Sequence, residues 1–175
     1  MKFESHPQQD IYFNLKQKLL SRELSFLDFR NKLVELDQST LDRKYSLQNL
    51  KLLEDPDIIS FIEQQEETIQ KRYYNFLSFS EFHVGQYYAC EYKDQTTSLQ
   101  HFKKSLEAFG KGEVDEDYRQ EWGIYVKGTI AYFEKDTDTL EDSVKLLGEK
   151  KNAQVLSKLL QGLEKRGQPN YLEDY

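Results

Sequence analysis

The chain has 175 residues, of which 38% are hydrophobic and 31% charged, and its formal net charge is −7 at pH 7. Its 12 Tyr and 11 Phe supply enough apolar surface for folding, which argues against global disorder. No Pro/Gly/Ser-rich linker interrupts it, so we expect residues 1–175 to form a single helical domain. Within this domain we expect a helical part over residues 1–80, helix hairpins and a capping helix over 81–167, and a tail over 168–175.

The distribution of charge and cysteine restricts the partners. The 24 basic and 31 acidic residues are spread along the chain, and basic residues form only pairs such as Lys103-Lys104, so nucleic acid is not expected to bind. No apolar run is long enough for a membrane-spanning helix and no basic-then-apolar leader opens the chain, so no membrane partner is expected. One cysteine, Cys90, allows neither an intramolecular disulfide nor a thiolate metal cage. We therefore expect a cytoplasmic protein.

The stretch before Ile58 contains signals for three helices. Pro7 suits the first turn of a helix that ends before a break at residues 21–24. Ser25 and Asp28 resemble a capping pair for a second helix, which would form an antiparallel hairpin with the first. A third helix is expected to start near Ser39-Thr40 and to stop at Asp55-Pro56-Asp57, where the aspartate caps the following helix.

Residues 58–93 contain no proline and one glycine, so they are expected to be helical. Because a single helix of this length is uncommon in a globular domain, we expect two helices. The small polar residues Asn75, Ser78 and Ser80 place the predicted break between Tyr74 and Glu81.

The strongest pattern is a helix hairpin over residues 81–109. Small and aromatic residues lie where two helices can approach closely, on either side of a polar break at residues 93–97. These residues are Gly85, Tyr88, Ser98, Phe102 and Ser105.

The C-terminal part contains further helix boundaries. Gly110 and Gly112 are expected to stop the hairpin through left-handed backbone angles, and acids at residues 113–117 suit the start of the next helix. That helix should end at residues 136–139, where Thr139 and Asp142 form a candidate capping box. Asn152 is expected to cap a last helix that ends at Gly167. The tail could pack back through Tyr171 and Leu172 or remain free.

Two helix pairs in this half are alike at a constant offset. Ala89 aligns with Ala131, the pair Lys93-Asp94 with Lys135-Asp136, and Thr97 with Thr139. The alignment spans the turn and both flanking helices, which predicts a repeated helix–turn–helix unit.

The small and aromatic residues of this region resemble the tetratricopeptide repeat, in which a glycine and a tyrosine of the first helix meet a small residue and an aromatic of the second. The resemblance covers roughly residues 81–148. The sequence departs from the family in three ways: the distance between repeats is longer, the first turn has an extra residue, and Lys127 stands where the second unit should have its glycine. Gly128, one position later, could replace that glycine. The resemblance implies a right-handed array of antiparallel hairpins with a concave peptide-binding face and a helical N-terminal extension.

Motifs for chemistry are missing. The three histidines, His6, His83 and His101, stand in neither HExxH nor ExxH spacing, so no catalytic, metal or cofactor site is predicted. An enzyme that uses His83, His101 and Glu81 would need these side chains to converge in a pocket. A further acidic set is interpreted as a solvated helix face: Glu63, Glu66 and Glu67.

The aromatic residues are the feature with functional promise, because a tyrosine ring packs while its hydroxyl stays hydrated. Tyr87, Trp122 and Tyr125 are predicted as the better surface candidates for partner binding. We therefore expect an all-α protein of seven to nine helices that acts as a non-enzymatic adaptor or regulator for a peptide or partner helix. The alternative is a small acidic inhibitor, immunity or secretion-chaperone protein with one cognate partner. Self-association through the flanks of the array is also compatible with the sequence.

Overall fold

The computed structural model describes residues 7–38, 44–112 and 116–175, and it contains helices but no strand within these ranges. The all-α prediction is confirmed. The described residues form ten α-helices, one more than the upper limit expected, and the short α10 was not predicted as a helix. They are α1 (Pro7–Leu20), α2 (Phe26–Gln38), α3 (Lys44–Leu53), α4 (Pro56–Glu63), α5 (Glu67–Tyr87), α6 (Gln95–Lys111), α7 (Glu116–Glu134), α8 (Thr137–Leu147), α9 (Lys151–Arg166) and α10 (Tyr171–Asp174), with a π-helix over Tyr88–Tyr92.

The helix starts in the first half follow the predicted capping chemistry. α1 begins at Pro7, and the backbone N–H of Asp28 donates to the Ser25 hydroxyl at 3.1 Å in the first turn of α2. Asp55 caps α4 by accepting from the backbone N–H of Asp57 at 3.0 Å. The predicted helix start near Ser39-Thr40 lies outside the described residues.

The predicted break between Tyr74 and Glu81 is wrong. Two helices do form, but α4 and α5 are separated at residues 64–66, and α5 continues through the whole predicted break. Ser78 is fully buried, and its hydroxyl lies 3.2 Å from that of Ser105 on α6. The small polar residues therefore mark a contact between helices and not an interruption.

The predicted repeat is visible in the geometry of its two turns. Lys93 and Lys135 take left-handed backbone angles, with φ of 53° and 62°. The aspartate that follows each lysine caps the next helix: Asp94 accepts from the Thr97 N–H at 3.0 Å, and Asp136 from the Thr139 N–H at 3.1 Å. The predicted capping box of Thr139 and Asp142 is therefore wrong, because Thr139 is the donor to the true cap.

Each capping aspartate makes a second hydrogen bond to the same threonine. The Thr97 hydroxyl donates to Asp94 and the Thr139 hydroxyl to Asp136, both at 2.6 Å. These side-chain bonds, and then the backbone bonds, lower the pKa of both carboxyl groups. Both caps are therefore stabilised as carboxylates.

Glycines allow close helix contact in both repeat units. A Cβ at Gly85 would lie 2.7 Å from Cε1 of Phe102 on α6. A Cβ at Gly128 would lie 2.9 Å from Cβ of Ser143 on α8, and it would also overlap Leu156 on α9. Gly128 thus lies at a close helix contact in the second unit, as Gly85 does in the first.

Other C-terminal boundaries differ from those expected. Gly110 lies inside α6, and Gly112 has φ of −80°, so the predicted left-handed stop does not form. Asn152 lies inside α9, whose N-cap is Lys150, so the predicted cap is also wrong. The end of α9 at Gly167 is confirmed, with φ of 69°.

Two groups of buried hydrophobic residues make up the interior. One contains residues from α1 to α5, including Phe29, Leu33 and Tyr73, and the other runs from α5 to α10, including Phe102 and Leu156. Helix α5 contributes to both groups.

The tail packs back onto the second group. Tyr171 is 3% exposed, and its hydroxyl accepts from the Gln86 side chain at 2.9 Å. The Tyr132 hydroxyl donates to Asp174 at 2.5 Å, and Arg166 also pairs with this carboxylate. Leu172 is 56% exposed, so the tail is held by Tyr171 and Asp174 and not by Leu172.

Two further expectations concern solvent and membrane. The predicted solvated acidic face is confirmed, because Glu63, Glu66 and Glu67 are all exposed. No helix within the described part of the chain combines the length and apolar character needed to cross a membrane.

Candidate functional site

The three predicted partner-binding residues lie in the interior. Tyr87 is 5% exposed, Trp122 8% and Tyr125 4%, so the prediction that they are surface residues is wrong. The ring of Phe82 lies 4.9 Å from that of Trp122 and 5.2 Å from that of Tyr125. The aromatic spacing therefore reflects packing between α5 and α7.

Other tyrosines reach the surface where α5 passes into a π-helix over Tyr88–Tyr92. In the second repeat unit, the Asp136 N–H donates to the carbonyl of Ala131, five residues earlier; in the first unit, the Asp94 N–H reaches Tyr88, six residues earlier. The two units have the same number of residues here, and the first unit differs by its π-turn, which encloses one more residue than an α-turn. π-helical segments are frequent at functional sites.

A partly exposed aromatic cluster, which we call the tyrosine surface, consists of the exposed Tyr92 and the half-buried Tyr88 and His101. Tyr92 is 62% exposed, and its ring lies 5.6 Å from that of Tyr88. Tyr88 stacks on the His101 imidazole at 5.4 Å with an interplanar angle of 7°. The buried Tyr87 also contacts this surface, since its hydroxyl lies within hydrogen-bond distance, 3.3 Å, of the Tyr92 hydroxyl.

A buried carboxylate orients the histidine of this surface. Glu81 is 3% exposed, and its Oε2 lies 2.6 Å from Nδ1 of His101. Since a carboxylate only accepts hydrogen bonds, Nδ1 is the donor of this pair. Lys104 places its Nζ 3.8 Å from Oε1 of Glu81 and 3.6 Å from Glu54, which directly follows α3. These contacts join the end of α3 to α5 and α6 beside the tyrosine surface.

Two of the three residues considered for catalysis therefore come together, namely Glu81 and His101. His83 follows Glu81 by two residues, which places it about 200° away around the helix axis. The three residues do not share one face of α5 and α6. Among the residues that the structure describes, no group of three or more His, Cys, Asp or Glu side chains is arranged to hold a metal ion.

The sequence contained one signal for the exposed tyrosines. Tyr92 directly precedes Lys93-Asp94, which end the helix, and side chains beside a connecting turn are often left on the surface. Tyr87 lies one turn earlier, where the helices still pack. Position relative to the turn thus separates the exposed tyrosine from the buried one.

Comparison with known proteins returned no match: no protein-family model, no curated protein and no solved structure is similar to this chain. The function is therefore inferred from the geometry of the chain itself.

Proposed function

We propose that this chain is a non-enzymatic interaction module that binds a peptide or partner helix through the tyrosine surface. The observation that carries the proposal is Tyr92, a large aromatic side chain that is 62% exposed yet held by contacts with two neighbouring tyrosines. An aromatic ring that is already fixed loses little conformational entropy on binding, and tyrosine is enriched at interfaces. Tyr92 would be the anchor, with Tyr88 and His101 beside it.

The proposal includes a tetratricopeptide-like arrangement of the hairpins as a right-handed array. Two features support it. Lys93 and Lys135 are both left-handed and are each followed by a capping aspartate. Gly85 and Gly128 allow close helix contact in both units. In such an array the turn between two helices is a natural site for specific contacts, because it presents side chains that the stack does not bury.

The proposed role of the Glu81–His101 pair is to fix the surface and not to catalyse. The short bond to a buried carboxylate holds the imidazole in one orientation, and the imidazole in turn supports the ring of Tyr88. Polar contacts that already hold the aromatic side chains in place favour specific binding, because these side chains then lose little conformational entropy when the complex forms.

Affinity capture from the native lysate, with quantitative mass spectrometry, tests the proposal. Tyr92→Ala should release a specific partner protein that the unchanged chain retains. Leu146→Ala is the matched control, because Leu146 is 71% exposed on the distant helix α8. A partner set that is identical for all three proteins would contradict a role for the tyrosine surface.

Salt dependence separates this proposal from the alternative of a small acidic inhibitor, immunity or secretion-chaperone protein. Contacts between exposed charges weaken strongly at roughly 0.5 M salt, whereas an aromatic anchor is less affected. Binding that is lost in salt but unchanged by Tyr92→Ala would favour the acidic-surface alternative.

A further inference from the structure

A cleft of about 260 Å³ lies between α2 and α5, away from the tyrosine surface. Its α5 wall follows helical spacing, with residues at positions 72, 75, 76 and 79, so these side chains share one face of the helix. The cleft is lined by Phe26, Leu27, Arg30, Arg72, Asn75, Phe76 and Phe79.

Within the described part of the chain, the ionisable side chains that line the cleft are both arginines. Among the described residues, no carboxylate lies within 4 Å of the guanidinium of Arg30 or Arg72. This is unexpected in a chain with 31 acidic and 24 basic residues, where carboxylates are plentiful. Arginine keeps its charge throughout the accessible pH range, so the cleft is a positive site in an acidic protein.

The walls around these charges are aromatic. Phe26 is 5% exposed and Phe76 6% exposed, and the guanidinium carbon of Arg30 lies 5.7 Å from the centre of the Phe76 ring. A guanidinium over an aromatic face is held in place by a cation–π interaction while its N–H groups stay available for an anion. The cleft therefore combines one anion donor held against a ring, Arg30, and a second, exposed donor, Arg72, with apolar surface.

We propose that this cleft binds a small organic anion with an aromatic body, an aryl phosphate or aryl carboxylate. A cavity of about 150 Å³ holds a benzene ring, so the present volume is sufficient for a ring and one anionic group. The ring would lie against the three phenylalanines. The anionic group would accept hydrogen bonds from Arg30 and Arg72, whose planar guanidinium groups match phosphate and carboxylate oxygens. This binding is independent of the proposed function of the tyrosine surface.

Titration calorimetry with phenyl phosphate tests the proposal, with inorganic phosphate and benzyl alcohol as probes that carry only the charge or only the ring. Phenyl phosphate should bind at least about tenfold more tightly than either fragment, because it uses both parts of the cleft. Arg30→Gln and Arg72→Gln should each weaken its binding about tenfold, and Arg30→Lys should weaken it less than Arg30→Gln. Lys18→Gln, an exposed charge change on α1, should leave the affinity unchanged.

The glutamine variants are expected to fold, because neither guanidinium has a carboxylate partner among the described residues; far-UV circular dichroism and the Tm verify this. The proposal is overturned if phenyl phosphate shows no binding up to roughly 10 mM. It is also overturned if both folded arginine variants bind it as tightly as the unchanged chain. Binding of inorganic phosphate with the same affinity would show that the aromatic walls contribute nothing, and would equally reject an aryl anion.

Discussion

Gly85 lies directly against the ring of Phe102, so that a Cβ at position 85 would lie 2.7 Å from Cε1 of that ring. Phe102 is fully buried, and the rings of Phe82 and Phe133 lie 4.9 Å and 5.3 Å from it. The ring therefore has little room to move away from α5. This contact sets the distance between the two helices of the first hairpin.

Gly85→Ala should destabilise the protein. Alanine favours the helical state by about 1 kcal/mol over glycine, but an extra methyl group in a tight interior costs about 1–3 kcal/mol, so we expect a net loss of about 1 kcal/mol. Gly110→Ala is the control, because Gly110 lies in α6 and, apart from its own stretch of helix backbone, no described residue has an atom within 4 Å of its Cβ position. This variant should raise the stability. Urea unfolding of both variants measures the difference, and a Gly85→Ala protein as stable as Gly110→Ala would contradict the close contact.

The two capping aspartates should contribute similarly to stability. Asp94→Ala and Asp136→Ala each remove two hydrogen bonds to a threonine, and each should lower the free energy of unfolding at neutral pH by a similar amount. Because both pKa values are lowered in the folded state, this stabilisation is present above the ordinary pKa of about 4 and declines as the pH falls below it. Chemical unfolding at several pH values checks this. A deficit of the alanine variants that stays constant on acidification would contradict it.

The stability should fall steeply at alkaline pH. Burial raises the pKa of Tyr132 to about 12, and it raises the pKa of Tyr73 and Tyr171 as well. Below the ordinary pKa of about 10 these tyrosines are protonated in both states. Above it only the unfolded chain ionises, and each group lowers the free energy of unfolding by about 1.4 kcal/mol per pH unit up to its folded-state pKa.

Urea unfolding between pH 8 and 11 measures this loss. Tyr73→Phe, which removes one hydroxyl bonded to the Leu53 carbonyl at 2.9 Å, should reduce the alkaline slope. A free energy of unfolding that does not change with pH in this range would show that these hydroxyls titrate alike in both states.

Replacement of Trp122 should affect stability strongly. Its indole N–H donates to the buried Ser78 hydroxyl at 3.0 Å, and its ring packs against Phe79 and Phe82. Trp122→Ala should cost about 3–5 kcal/mol, whereas Leu146→Ala on the exposed face of α8 should change the stability by less than about 0.5 kcal/mol. Thermal unfolding followed by circular dichroism compares the two, and a Tm of Trp122→Ala close to that of Leu146→Ala would contradict the buried position.

The helical class and most helix ends could be predicted because they depend on local chemistry. Pro7, Asp55 and Gly167 act through the hydrogen-bonding needs of the first and last turns, which neighbouring residues alone determine. The repeated turn was visible for the same reason, since the Lys-Asp-x-x-Thr pattern encodes both the left-handed residue and the cap.

The exposed residues could not be predicted because exposure depends on which helices meet. Trp122 and Tyr125 are residue types that are common at binding surfaces, but in this fold they pack against α5 and are buried. The cleft with Arg30 and Arg72 joins residues that are distant in the sequence, on helices that no local pattern relates. Such sites arise only from tertiary packing.

Helix α5, which contributes to both groups of buried residues, has a consequence for cooperativity. Its 21 residues span about 31 Å, so one continuous helix contributes side chains to both groups of buried residues. The buried serines at positions 78 and 80 lie on α5 between the residues of one group and those of the other. Because the helix is continuous there, we expect the two groups of buried residues to unfold together. We expect amide hydrogen exchange to be slowest in the middle of α5, and Leu77→Pro to convert a single unfolding transition into two.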